Sequence, residues 1–229
     1  MPALRWFRSS IRPIFLGLMA LGSALIALGS LVYFDPEELA PFVIEKLPLP
    51  LEDLYFAALK THVVAAAFAL PACLALSTRV ILRAPRVHRW LGRLTAVVVL
   101  FALAPSGFYL AFWAKGGLPS TVGFLASGVI VVWAMVRGVS TARARDLVAH
   151  RRFALHVLAQ LSVAVSSRAL LFGLDAVGVD PDAAYVGSLW GPVIVSALVV
   201  ELLTRRPLEK HHEASVARRP APVLAGVRG

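Results

Sequence analysis

The chain of 229 residues is 59% hydrophobic and only 16% charged, and its mean hydropathy of +0.76 lies outside the range of ordinary water-soluble domains. A net charge of +10 and a pI near 10.8 would suggest nucleic acid in a soluble protein, but here the basic residues fall between long apolar runs, so no nucleic-acid partner is expected. The single cysteine, Cys73, excludes an intrachain disulfide framework and a CxxC metal site.

A run of about 20 apolar residues crosses a hydrocarbon core of roughly 30 Å. Six such runs are predicted, at about 14–34, 55–78, 90–112, 119–137, 153–175 and 187–204. They read as helices, because a lipid-facing strand alternates in polarity and is about half as long. The expected fold class is therefore all-α, a polytopic bundle over residues 1–204 followed by a basic, disordered tail at 205–229.

The first run follows Arg5, Arg8 and Arg12 as a signal peptide would. Its apolar stretch exceeds the roughly 7–15 residues of a signal core and lacks a small-residue cleavage site, so a retained helix is predicted. Pro36, Pro41, Pro48 and Pro50 then mark a loop with a short interfacial segment around Phe42 to Leu47. In the second run His62 heads an arc of Ala65, Ala66, Ala69, Cys73 and Ser77 at 100° per residue. Such a face suits either close helix packing or a slot for a flat cofactor.

The stretch RAPRVHRWLGR at residues 83–93 opens the third run. His88 and Ser106 are about five turns apart there, with Gly92, Thr95 and Ala102 near the same line, which predicts one inward face. The fourth run contains Trp133 and no histidine. The fifth opens with AHRRFALH at 149–156, where His150, His156, Gln160, Ser167 and Arg168 are expected to form one polar stripe facing the bundle. Across the third and fifth helices, His88 and His150 are placed to meet. His211 and His212, in the tail, are expected to be solvated.

Arginines cluster at residues 5–12, 79–93, 137–152 and 205–228, while nine of the thirteen acidic residues fall in the alternate loops, among them Asp35, Glu52, Asp53, Asp175, Asp180 and Asp182. By the positive-inside pattern both termini are cytoplasmic. The arginines then contact anionic lipid head groups, each contributing about 1 kcal/mol near the surface. Arg168 alone escapes this rule, about 24 Å along the helix from Arg152. His62 lies about 25 Å from Arg79, so the two define an outer layer in which an anionic group could bind, with snorkelling of Arg168 as the simpler reading. HExxH, Hx₃H and CxxC are absent, the acids lie away from the histidines except for Asp146, and no phosphate-binding glycine loop appears. A zinc hydrolase and a Ser–His–Asp hydrolase are therefore disfavoured.

The histidine of the second helix, HRWLGR opening the third, Trp133 in the fourth, HRR opening the fifth and Arg168 late in it resemble the bacterial membrane-protein family domain of unknown function 2306. The resemblance runs from about His62 to Arg168 and leaves the sixth run outside. It departs from the family pattern in His156, where an arginine is usual, and in Cys73, where a glutamine is usual. It implies architecture and candidate positions but no reaction. A more distant architectural resemblance is to b-type di-haem membrane cytochromes, in which histidines of neighbouring helices clamp haem near each membrane face. That likeness implies an inner haem b held by His88 with His150, or by His88 with His156, its propionates paired with Arg89 and Arg151. His62 and His150 differ in level by about 25 Å and are excluded as a pair.

Two functions follow as expectations for a multi-pass protein of the bacterial cytoplasmic membrane. One is a haem-b redox protein exchanging electrons with quinone or another membrane partner. The other is a non-enzymatic lipid-binding, transport or complex-stabilising subunit that uses His62 and Arg168 to bind an anionic group.

Overall fold

The computed structural model describes residues 2–35, 41–44, 46–49 and 51–217, with side chains between residues 13 and 205 except those of 41 and 42. No strand occurs among these residues. In hydrocarbon every backbone N–H and C=O needs an internal partner, and a helix supplies one within its own segment. Six stretches are long and apolar enough to cross a membrane: Pro13–Phe34, Glu52–Leu76, Pro85–Ala111, Gly117–Arg143, Leu147–Ala176 and Pro181–Arg205.

The first is α1 (Pro2–Gly29), closed by a 3₁₀ turn at Ser30–Phe34. A short α2 (Pro41–Ile44) falls in the expected interfacial loop, and the second span is α3 (Glu52–Leu76). A single turn, α4 (Arg79–Leu82), precedes the third span. That span is α5 (Pro85–Val98), a π-helical segment Val99–Leu103, and α6 (Ala104–Ala111). The fourth is α7 (Gly117–Arg143), and the fifth comprises α8 (Leu147–Leu161) and α9 (Val163–Ala176). The sixth, α10 (Pro181–Ala217), carries helical backbone past residue 204 into the expected tail. The rest of that tail, 218–229, and the side chains of His211 and His212 lie outside the described residues.

Helix starts follow local chemistry. Pro85 opens α5, where its missing N–H is one that no helical carbonyl would receive. Asp146 caps α8 by accepting the Ala149 N–H at 3.0 Å. Both helices therefore begin several residues before the apolar runs, and His88 and His150 each sit one turn inside their helix. Between the third and fourth spans, Gly116 and Gly117 adopt positive φ of 80° and 64° and turn the chain back.

Two interruptions fall within the expected stripes. Pro105 cannot donate to the Phe101 carbonyl, and the π segment just before it adds in effect one residue to the helix. Everything beyond Leu103 is thereby rotated by about 100° relative to a continuous α-helix. His88 and Ser106 no longer share a face: His88 turns to the fifth span and Ser106 to the second. In the fifth span the helix is interrupted at Ser162, whose Oγ bonds the Leu158 carbonyl at 2.8 Å. Gln160 and His156 before it are buried, whereas Arg168 after it is exposed.

The fifth span packs against the fourth, sixth, second and first, and the second span is also central. The first is peripheral, with 11% of its apolar window buried against 39% for the second and third. The main core joins Ala65, Ala69 and Cys73 of α3 to Ala96 and Val99 of the third span, Ala134 of α7 and Val157 of α8. The small arc below His62 is thus filled by neighbouring helices, which is close packing. Glycines bring helix backbones together at three crossings, where a Cβ would lie 2.3 Å from Val165 (Gly22), 2.8 Å from Leu189 (Gly123) or 2.5 Å from Phe108 (Gly128). At the acid-rich end, Val43 and Leu49 of the first loop pack on Tyr55 and Leu59.

Candidate functional site

The arginine-rich end of the bundle brings His88 of α5 to His150 of α8, ring centres 6.4 Å apart and planes at 84°. His150 Nδ1 lies 2.8 Å from the Gly138 carbonyl oxygen of α7. A carbonyl only accepts, so Nδ1 carries the hydrogen and Nε2 is the nitrogen left to meet another group. His88 Nδ1 is buried without a hydrogen-bond partner. Arg89 and Arg151, each following one of these histidines, are exposed.

One turn deeper, the fifth and sixth spans are tied by an ionic cluster. Arg152 Nη2 donates to both Glu201 carboxylate oxygens, at 2.7 and 2.8 Å, and His156 Nε2 lies 2.8 Å from Oε1. His156 is buried, with its Nδ1 unpartnered, and its ring lies 6.2 Å from that of Trp133. Trp133 also meets Phe153 edge to face at 5.1 Å, and the Arg137 and Arg152 guanidiniums lie 5.5 and 5.6 Å from the Phe153 ring centre. Another turn on, buried Gln160 accepts from Ser127 at 2.9 Å and donates to the Val193 carbonyl and to Ser196 at 3.1 and 3.0 Å. Residues 152, 156 and 160 repeat every four positions, so one face of α8 turns all three towards α7 and α10.

The acid-rich end holds the other expected pair. His62 Nδ1 lies 3.2 Å from the Leu103 carbonyl oxygen and 3.3 Å from Ser106 Oγ, and Gly107 leaves room for the ring, since a Cβ there would sit 2.9 Å from His62 Cε1. Arg168 is exposed, and its Nη1 donates to the Ala164 carbonyl of its own helix at 2.8 Å. No hydrogen bond among the described residues joins the two expected site residues.

Of the two histidine pairs considered from sequence, the structure brings His88 to His150 and places His156 against Glu201. Among the described residues no group of three or more His, Cys, Asp or Glu side chains is arranged to hold a metal ion. Glu201 is the site residue that sequence reasoning missed. The available signal was its place as a lone acid near the end of the sixth apolar run, on the side where the arginines cluster, since intramembrane ionisable groups carry partners.

The family described as Predicted membrane protein (DUF2306) matches residues 59–204, more than half of the chain. The chain belongs to that family. Comparison with the curated proteins and with the solved structures finds no match. The family region runs past Arg168 to residue 204, so the sixth span, expected outside it, lies inside. The geometry gives a reason. The sixth helix supplies the acid that neutralises Arg152, and a reading based on basic motifs stopped short of it. The His88–His150 pair, the Arg152–Glu201–His156 cluster and the His62 pocket all fall within the DUF2306 region.

Proposed function

We propose that this DUF2306 protein is a b-type redox protein of the bacterial cytoplasmic membrane, holding haem between His88 and His150 and exchanging electrons with quinone or another membrane partner. The observation that carries the reading is the meeting of two histidines from different helices, one already oriented by a backbone carbonyl. The donor set fits. His88 and His150 would hold the iron of a haem through their ring nitrogens, and both rings stand at the arginine-rich end of the bundle. His88 Nδ1, buried and unpartnered, marks a histidine whose polar requirement the protein alone does not meet.

Haem, when bound, supplies one-electron exchange. The chain's own residues do the rest. The Gly138 carbonyl accepts from His150 Nδ1 and holds the ring in one orientation. Arg89 and Arg151 stand at the exposed rim, where carboxylates of a bound group would meet them. In this reading the clustered arginines put this end, and both termini, on the cytoplasmic side, as the positive-inside pattern supports.

The test is a set of four variants made in haem-replete cells. His88→Ala and His150→Ala should lose the Soret band, and His62→Ala and Arg168→Met should keep it. Loss of the band in His62→Ala with retention in His88→Ala would reverse the assignment.

A second reading has one observation in its favour. The exposed Arg168 guanidinium bonds only its own helix backbone among the described residues, which leaves it available to an anionic group in a non-enzymatic lipid-binding, transport or complex-stabilising subunit. A colourless wild-type protein would favour it.

A further inference from the structure

A groove of about 640 Å³ runs between the second and third spans, away from the histidine pair and from Arg168. Its walls are apolar: Val64, Ala65 and Phe68 from α3, Val98 from α5 and Ala102 from the π segment. Positions 61, 64, 65 and 68 follow the i, i+3, i+4, i+7 spacing of one helical face. Ala65 and Ala102 are the small residues of the lining. Lys60 and Thr61 line its end nearest the acid-rich loops.

Lys60 is the unusual member. It lies eight residues past Glu52, about 12 Å along α3, inside the apolar span. Both ion pairs among the described residues use Glu201, so Lys60 has no carboxylate partner there. Its ammonium lies 6.0 Å from the centre of the Phe34 ring, at the outer limit of a cation–π contact. An intramembrane cation without a counter-charge among the described residues, at the mouth of an apolar groove, matches an anionic head joined to a hydrocarbon chain. The lysine stem can extend towards the membrane surface and meet such a head at the level of the lipid phosphates.

We infer that this groove binds one anionic phospholipid of the surrounding bilayer, its phosphate on Lys60 and Thr61 and one acyl chain along Val64, Phe68, Val98 and Ala102. This site does not depend on the haem reading. It uses neither the histidine pair nor Arg168.

The full chain in nanodiscs of mixed phosphatidylglycerol and phosphatidylcholine, transferred to detergent and analysed by native mass spectrometry, tests it. The wild type should retain one phosphatidylglycerol in preference to phosphatidylcholine. Lys60→Gln should lower that retention by roughly tenfold, about 1.4 kcal/mol, with Lys60→Arg close to the wild type. Val64 is largely exposed, so Val64→Trp should fill the groove and lower retention without disturbing the fold. Wild-type retention in both Lys60→Gln and Val64→Trp, equal retention of the two lipids, or recovery of a free fatty acid with no phospholipid would each overturn the assignment. Circular dichroism of each variant separates loss of lipid from loss of fold.

Discussion

Glu201 is the acid in both ion pairs of the described residues. It satisfies Arg152 through two hydrogen bonds and buried His156 through a third, and its own side chain is 45% exposed. Glu201→Ala leaves Arg152 and His156 with unanswered donors. Because the carboxylate is nearly half exposed, the loss should stay near the lower end of charged hydrogen bonds, about 1–2 kcal/mol. Unfolding by denaturing detergent, monitored by circular dichroism, measures it, and a change below a few tenths would show that the cluster does not brace the two helices. A double-mutant cycle of Arg152→Met with Glu201→Gln should show coupling, because the pair is bidentate.

This residue also marks where sequence reading stopped. The partners of Glu201 lie 45 and 49 positions away, and nothing local in the sixth run, which is otherwise apolar there, announces them. His88 and His150 were legible because each opens a helix beside arginines, so periodicity alone sets their level and direction. The π segment was not, since Pro105 signals a disturbance without saying which way the helix will accommodate it. Arg168 was read as inward-facing because the polar stripe was drawn about 120° wide; on a helix it stands about 120° round from buried His156 and about 160° from Arg152, and its side chain is exposed.

At the level of helices, packing depends on glycines that admit a neighbour's side chain. The lipid tails are as apolar as the helices, so close contact and not water exclusion holds the spans together. Gly128 in α7 takes the Phe108 ring of α6, and a Cβ there would lie 2.5 Å from Phe108 Cε1. Gly128→Ala should destabilise the bundle by about 1–3 kcal/mol, the usual range for overpacking. Gly173, where an added Cβ would meet no atom within 4 Å beyond its chain neighbours and its own helix backbone, is the control: Gly173→Ala should be neutral or slightly stabilising. Equal effects at the two positions, in the same detergent unfolding assay, would contradict the packing account.

Over the whole molecule, six crossings put Arg79 to Arg93 and Arg137 to Arg152 at one end and the acid-rich loops at the other. Reporter fusions after Arg93, after Arg152 and at the C-terminus should therefore read cytoplasm, and fusions at Lys46, Gly117 and Pro181 should read the opposite side. One reversed loop would contradict the proposed orientation.

The most direct test of the redox reading is the visible spectrum of the purified wild-type protein, made in haem-replete cells and recorded before and after dithionite. If His88 and His150 hold a haem, a Soret band that shifts and sharpens on reduction is expected, with resolved bands in the visible region. A protein that is fully folded by circular dichroism and shows no visible absorbance in either state would contradict it.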